Sequence, residues 1–241
     1  MGETMKNRPA LVVALDFAEA GPALELAGRL RGVVPWVKVG LELHLASGRD
    51  ILDRLKGMGF RVFLDLKFMD IPNTVQAAVA QATRMDADML TVHALGGRRM
   101  CEAAAAGRDG ALAAGQVPPL ILGVTVLTSM GPADLAWNPD GTDEELRGLT
   151  VHLAASAQNW KLDGVVCSGN EVRDIRQACG ASFKLLTPGI RLPDAETGDQ
   201  ARVCTPARAA RDGSDFLVVG RPITRAEDPV QAARMYLGAT E

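Results

Sequence analysis

Arg61-Val62-Phe63-Leu64-Asp65-Leu66-Lys67-Phe68-Met69-Asp70-Ile71-Pro72-Asn73-Thr74-Val75 opens as an apolar run, passes through three charged steps (Asp65, Lys67 and Asp70) and ends on a helix start. The run is nearly continuous rather than alternating, the pattern of a parallel strand covered on both faces. Pro72 suits the first turn of a helix, where its missing N–H is not needed. Val75, Ala78, Val79 and Ala82 then fall on one helical face. Strand, charged turn and helix make one βα unit.

The same unit recurs along the chain. Strand-like apolar runs cover residues 11–16, 36–40, 61–67, 89–94, 120–127, 164–168, 183–188 and 216–220. Amphipathic stretches lie between them, and Gly32, Gly57, Gly59, Gly115, Gly180 and Gly213 stand where helices should end. Eight repeats in 241 residues give about 30 residues each, as in a (β/α)8 (TIM) barrel of ~250 residues. The α/β alternative is a doubly wound open sheet, but no G-x-G-x-x-G follows the first run. With no linker or low-complexity tract, residues 1–241 read as a single barrel domain with residues 1–10 as a short N-terminal extension. Residues 131–142 and 191–200 are irregular and read as loop excursions.

Composition removes several classes of function. Twenty-six Lys and Arg against 29 Asp and Glu leave a net charge of −3, which argues against a nucleic-acid binder. Four cysteines without a C-x-x-C pair and three scattered histidines suggest neither a disulfide framework nor a metal site. Residues 110–133 carry no charge, but Gly115 and the Pro118-Pro119 pair break them into a helix end, a turn and a buried strand. The first apolar run stops at Asp16, too short for the ~7–15 residues of a secretory core. The expectation is a cytoplasmic protein without a membrane partner.

A charge inside a parallel strand needs a reason. Asp16 ends the first run, Lys38 lies inside the second, and Asp65 and Lys67, two apart, share one face of the third. Asp70 follows directly. These residues gather at the carboxyl ends of adjacent strands, the face of such barrels that carries active sites. They would form an array of alternating sign in which flanking carboxylates keep Lys67 protonated and aimed. A structural plug of salt bridges is the plain alternative, although buried ion pairs are often no more stabilising than apolar packing. At the opposite side, strand seven runs into Thr187-Pro188-Gly189-Ile190-Arg191 and strand eight into Gly220-Arg221-Pro222-Ile223-Thr224. Glycine admits a phosphate to backbone N–H groups and an arginine fork matches its oxygens. Alone, each tripeptide is an ordinary turn; together with the charged array they read as the phosphate end of one site.

These segments, in this order, resemble the orotidine 5′-monophosphate decarboxylase family. The resemblance rests on Asp65 to Thr74, Trp36-Val37-Lys38-Val39-Gly40, Val124-Thr125-Val126-Leu127-Thr128-Ser129, the two turns just quoted, and Asp199-Gln200. It implies cofactor-free and metal-free decarboxylation of orotidine 5′-monophosphate to uridine 5′-monophosphate, the last step of pyrimidine nucleotide synthesis. By that resemblance Lys67 would stabilise and protonate the C6 carbanion, Asp65 and Asp70 would hold Lys67, and Lys38 would complete the network and contact the ribose. Asp16 would hold a ribose hydroxyl, and Thr128 or Ser129 would meet the pyrimidine. Arg191, Gln200, Gly220 and Arg221 would bind the phosphate side, with residues 191–200 closing over it. Asp70, Ile71 and Thr74 would reach the neighbouring subunit's site in a homodimer. Met69 stands where family members often carry His, and Leu95 is bulkier than expected. His93 reads as a strand-end histidine satisfied by backbone.

Three rivals make different demands. A Mg2+-dependent sugar-phosphate barrel would need a further carboxylate near strand two, for which Glu42 is the candidate. A Schiff-base aldolase would need a lysine of lowered pKa, which flanking carboxylates oppose. A nucleotide-binding barrel without turnover would have lost chemical groups that are all present here.

Overall fold

The apolar runs pair as parallel strands in a computed structural model that describes residues 8–193 and 202–240. The strands are β1 (Ala10–Ala14), β2 (Trp36–Gly40), β3 (Arg61–Phe68), β4 (Met89–His93), β5 (Leu120–Val124), β6 (Gly164–Val166), β7 (Lys184–Thr187) and β8 (Phe216–Val219). Each bonds to the next and β8 returns to β1, closing a barrel in which every pairing is parallel. The expected (β/α)8 barrel is therefore the observed fold, and the open sheet is excluded. Helices α1 (Ala20–Leu30), α2 (Leu41–Ser47), α3 (Asp50–Gly57), α4 (Pro72–Arg84), α5 (Gly97–Ala111) and α6 (Asp143–Asn159) form the first part of the outer ring. Helices α7 (Val172–Cys179), α8 (Pro206–Asp212), α9 (Arg221–Thr224) and α10 (Pro229–Gly238) complete it. Pro72 occupies the first turn of α4, as expected.

Alternation along each strand sorts the core into two layers. Leu11, Val13, Leu15, Val37, Val39, Val62 and Leu64 face the helices in one large cluster. Val12, Ala14, Trp36, Phe63, Met89, Leu122, Leu186, Phe216 and Val218 fill the barrel interior. Trp36 and Phe216 meet edge to face with ring centroids 5.5 Å apart, and the Arg61 guanidinium stacks 5.5 Å from the Trp36 ring. Burying a side chain of this size stabilises the fold by about 1.5–3 kcal/mol. The period of two also dictates the site. Lys38, Asp65 and Thr91 each stand two residues beyond an interior apolar residue (Trp36, Phe63 and Met89), so all three turn inward at the carboxyl end.

At the amino ends an aspartate precedes each of three even-numbered strands and binds the strand before it. Asp88 accepts the Val62 N–H at 2.7 Å, Asp163 the Ile121 N–H at 2.8 Å, and Asp215 the Leu185 N–H at 2.9 Å. Each is neutralised by a cation: Lys56, Arg108 and Arg176 respectively. The four cysteines are free and buried, and burial pushes the Cys101 thiol up to about 11.

Six of the eight strands end sooner than the apolar runs, while β2 ends with its run and β3 extends one residue past it, to Phe68. β5 stops at Val124 rather than residue 127, β6 at Val166 rather than 168, and Asp16 lies two residues past β1. Val126 is buried not by the sheet but by Leu135, Leu146 and Leu153 under α6. Its apolar character encodes a small core beneath the β5–α6 loop.

Candidate active site

A cavity of about 760 Å³ opens at the carboxyl ends of the strands. On one side β1, β2 and β3 deliver a string of alternating charge. Asp16 Oδ1 lies 2.8 Å from Lys38 Nζ, Lys38 Nζ lies 3.6 Å from Asp65 Oδ2, and that oxygen lies 2.9 Å from Lys67 Nζ. Burial by itself would lower the Lys38 ammonium, but Asp65 and Asp16 outweigh it and hold it above the ordinary lysine value. Burial would likewise raise Asp65; the Lys38 and Lys67 charges, with hydrogen bonds from Lys67 and Thr91, overcome it and keep the carboxyl below its ordinary range. Lys38 and Asp65 are almost wholly enclosed, while Lys67 keeps about a third of its side chain open to the cavity, at 31% exposure.

Gly40 makes room for this string. A Cβ there would stand 3.0 Å from Lys38 Nζ and 3.2 Å from Asp16 Oδ1. Lys67 itself has a positive φ of 50°, a conformation that costs a non-glycine residue on the order of 1–3 kcal/mol and persists only where neighbours enforce it.

The opposite side is cationic. Pro188, Gly189 and Arg191 follow β7, and Gly220, Arg221, Thr224 and Arg225 follow β8, all lining the cavity. Gly189 has φ 72°, a backbone that favours glycine. The turn it permits brings Arg191 back into the wall, where the residue is buried and its guanidinium donates to the Ile190 carbonyl at 2.9 Å. Leu127, Thr128 and Ser129, from the loop after β5, form a third wall. Behind them Arg202 pairs with buried Glu171 and donates to the Val126 and Leu127 carbonyls at 3.3 and 3.1 Å.

Of the residues singled out from sequence, Asp16, Lys38, Asp65, Lys67, Thr128, Ser129, Arg191, Gly220 and Arg221 come together around one cavity. Asp70 does not join Lys67 within the chain. Its carboxylate is exposed and turns back to accept the Ile71 N–H at 2.6 Å, because the chain has already left β3. Ile71 and Thr74 are also exposed and outside this chain's cavity. Gln200 and Asp199 lie outside the described residues. His93 is not satisfied by backbone at Nδ1, which is buried without a hydrogen-bond partner among the described residues. Burial first, and then the Lys67 charge, lower its pKa against the opposing effect of Asp65.

Sequence reasoning passed over Arg225 and Thr91, quoted Thr224 only as the end of the turn after strand eight, and weighed Glu42 only as a metal ligand. Arg225 was detectable as the residue one helical turn after Arg221. Glu42 does line the cavity. Among the described residues, no trio of His, Cys, Asp or Glu converges as a metal site would require.

A parallel (β/α)8 barrel with a carboxylate–ammonium string on one side of its mouth and an arginine-lined cradle on the other defines an enzyme-type site for a small anion. The chain belongs to the orotidine 5′-phosphate decarboxylase / HUMPS family, whose model matches residues 9–236. It is 55% identical to orotidine 5′-phosphate decarboxylase of Maridesulfovibrio salexigens, over 93% of this chain and 95% of that one. It is 54% identical to the enzyme of the same name from Nitratidesulfovibrio vulgaris, over 93% and 94%. Among solved structures, orotidine 5′-phosphate decarboxylase from Lactobacillus acidophilus superposes with a TM-score of 0.85 at 35% identity, covering 98% of this chain and all of that one.

Proposed function

We propose that this chain decarboxylates orotidine 5′-monophosphate to uridine 5′-monophosphate and CO2, in pyrimidine nucleotide synthesis, without a cofactor or metal. The observation that carries the reading is the unbroken alternation Asp16–Lys38–Asp65–Lys67 at the wall of a cavity whose far side is cationic. As the C6–carboxylate bond breaks, its electron pair stays on C6 and CO2 departs. Lys67 Nζ supplies fixed positive charge where that negative charge develops, then transfers a proton to C6 and is reprotonated from solvent. Preorganised charge of this kind acts without reorganisation at the moment of reaction. Asp65 keeps Lys67 aimed, and Lys38 keeps Asp65 ionised.

Arg191, Gln200, Gly220 and Arg221 take the phosphate; Asp16 and Lys38 take the ribose, and Thr128 or Ser129 the pyrimidine. The phosphate sits far from C6, so its binding energy is available to desolvate and orient the reacting end. We read Asp70, Ile71 and Thr74 as serving the site of a second copy in a homodimer. Their exposure and their place outside the chain's own cavity support this, as do the exposed apolar Met69 and Ile71 on the same turn. The chain acts in the cytoplasm on this reading; no helix among the described residues is long and apolar enough to cross a membrane.

The test is the absorbance of orotidine 5′-monophosphate incubated with the protein and excess chelator, beside Lys67→Ala. Substrate should disappear with the unaltered chain and persist with Lys67→Ala, whose circular dichroism should be unchanged. Turnover by Lys67→Ala would defeat the lysine mechanism, and inhibition by chelator would point to the Mg2+-dependent rival.

A further inference from the structure

The pairing of β3 with β4 is irregular where the charged string passes. Leu64 is opposite Leu90, yet the next matched pair is Phe68 with Val92. Four steps along β3 therefore correspond to two along β4, and the excess bulges out between them. A bulge takes backbone groups off the ladder and re-aims side chains. Asp65 and Lys67 both lie in it, and Lys67 carries the positive φ.

One hydroxyl occupies the gap. Thr91 Oγ1, fully buried, accepts the backbone N–H of Lys67 at 3.0 Å and donates to Asp65 Oδ1 at 3.0 Å. The other oxygen of the same carboxylate, Oδ2, is the one that faces both Lys67 Nζ and Lys38 Nζ. Thr91 thus holds the backbone from which the Lys67 side chain departs and, through Oδ1, the rotation of the carboxylate that aims it. A hydroxyl has one proton to give and lone pairs to accept with, so it can serve both at once. Valine has the same shape and can serve neither.

We propose that Thr91 is a positioning residue for the decarboxylation: its hydroxyl sets the bulge geometry that places the Lys67 ammonium. The inference rests on the role of Lys67 given above. It makes Thr91 matter to the chemical step and not to substrate affinity, since the anion cradle and the pyrimidine wall come from other strands.

Thr91→Ser and Thr91→Ala both remove the γ-methyl and differ only in the hydroxyl. Thr91→Ser should retain kcat within about threefold, while Thr91→Ala should lose about 10- to 100-fold in kcat with KM changed by no more than about threefold. Binding of uridine 5′-monophosphate should be alike in the two. Thr91→Val keeps the side-chain volume and serves the same comparison if the alanine variant does not fold. Equal kcat in the serine and alanine variants, or a loss confined to KM, would overturn the proposal. Lys67→Ala assayed in parallel separates the two levels. If Lys67→Ala is inactive while alanine and serine at position 91 match, Thr91 is dismissed and the lysine stands; an active Lys67→Ala dismisses both.

Discussion

Gly40 shows how little space a single residue leaves in this site. Its hydrogen stands where a methyl group would press on the Lys38–Asp16 contact. Gly40→Ala should displace the ammonium by a few tenths of an ångström and lower kcat/KM about tenfold, ~1.4 kcal/mol of transition-state stabilisation, with little change in melting temperature. Steady-state kinetics beside a thermal melt would check this. The four charges of the string were legible in the sequence because a charge within an apolar strand is conspicuous. Thr91 was not, because threonine is an ordinary strand residue and its importance comes from an irregular register that no local pattern announces. Asp70 was placed beside Lys67 because they are close along the chain, whereas the turn after β3 points its carboxylate elsewhere.

At the scale of elements, the two ends of the barrel do different work. Among the described residues, the carboxyl ends hold three acids and five bases around a cavity. At the amino ends Asp88, Asp163 and Asp215 tie neighbouring strands together. Asp163 accepts from both Arg108, at 2.6 Å, and the Ile121 backbone. Asp163→Ala should therefore lower stability by about 1–3 kcal/mol while leaving the activity of the folded protein intact. Denaturant unfolding with an assay on the same sample would show it. The strands themselves were legible as apolar runs. Their ends were overread after β5 because Val126 is apolar for another purpose, packing under α6. Burial and strand pairing coincide along most of the barrel wall and separate at its rim.

For the whole molecule, acidity and assembly are the measurable properties. Burial lowers the pKa of His44 and of His93, so the unfolded chain takes up their protons first as pH falls. Stability should be full above about pH 6.5 and decline below it. The depressed Asp65 adds a second loss below about pH 4, as its carboxylate is protonated. The raised Lys38 contributes below its unfolded value and is lost only in strong alkali, above 10.5. Melting curves from pH 7.5 to 5 should slope downward, and His44→Gln with His93→Gln should flatten the slope; an unchanged slope would clear both histidines. Assembly has an equally direct check. If each site takes Lys67 from one copy and Asp70 from the other, Lys67→Ala and Asp70→Ala are each inactive alone. Refolded together they should regain activity, because every mixed dimer has one complete site. No recovery on mixing would place Asp70 outside a shared site.

The closure of the sheet also orders events in time. Ala10 to Val13 bond to Phe216 to Val219, strands separated by almost the whole chain. At ribosomal speeds of about 5–20 residues per second, the first strand waits about 10–40 s for the last. Through that interval the growing sheet has two raw edges, the condition in which strands seek foreign partners. The charged string exists early in synthesis and the arginine cradle arrives only with the final units, so a nascent chain is catalytically silent until its ring shuts.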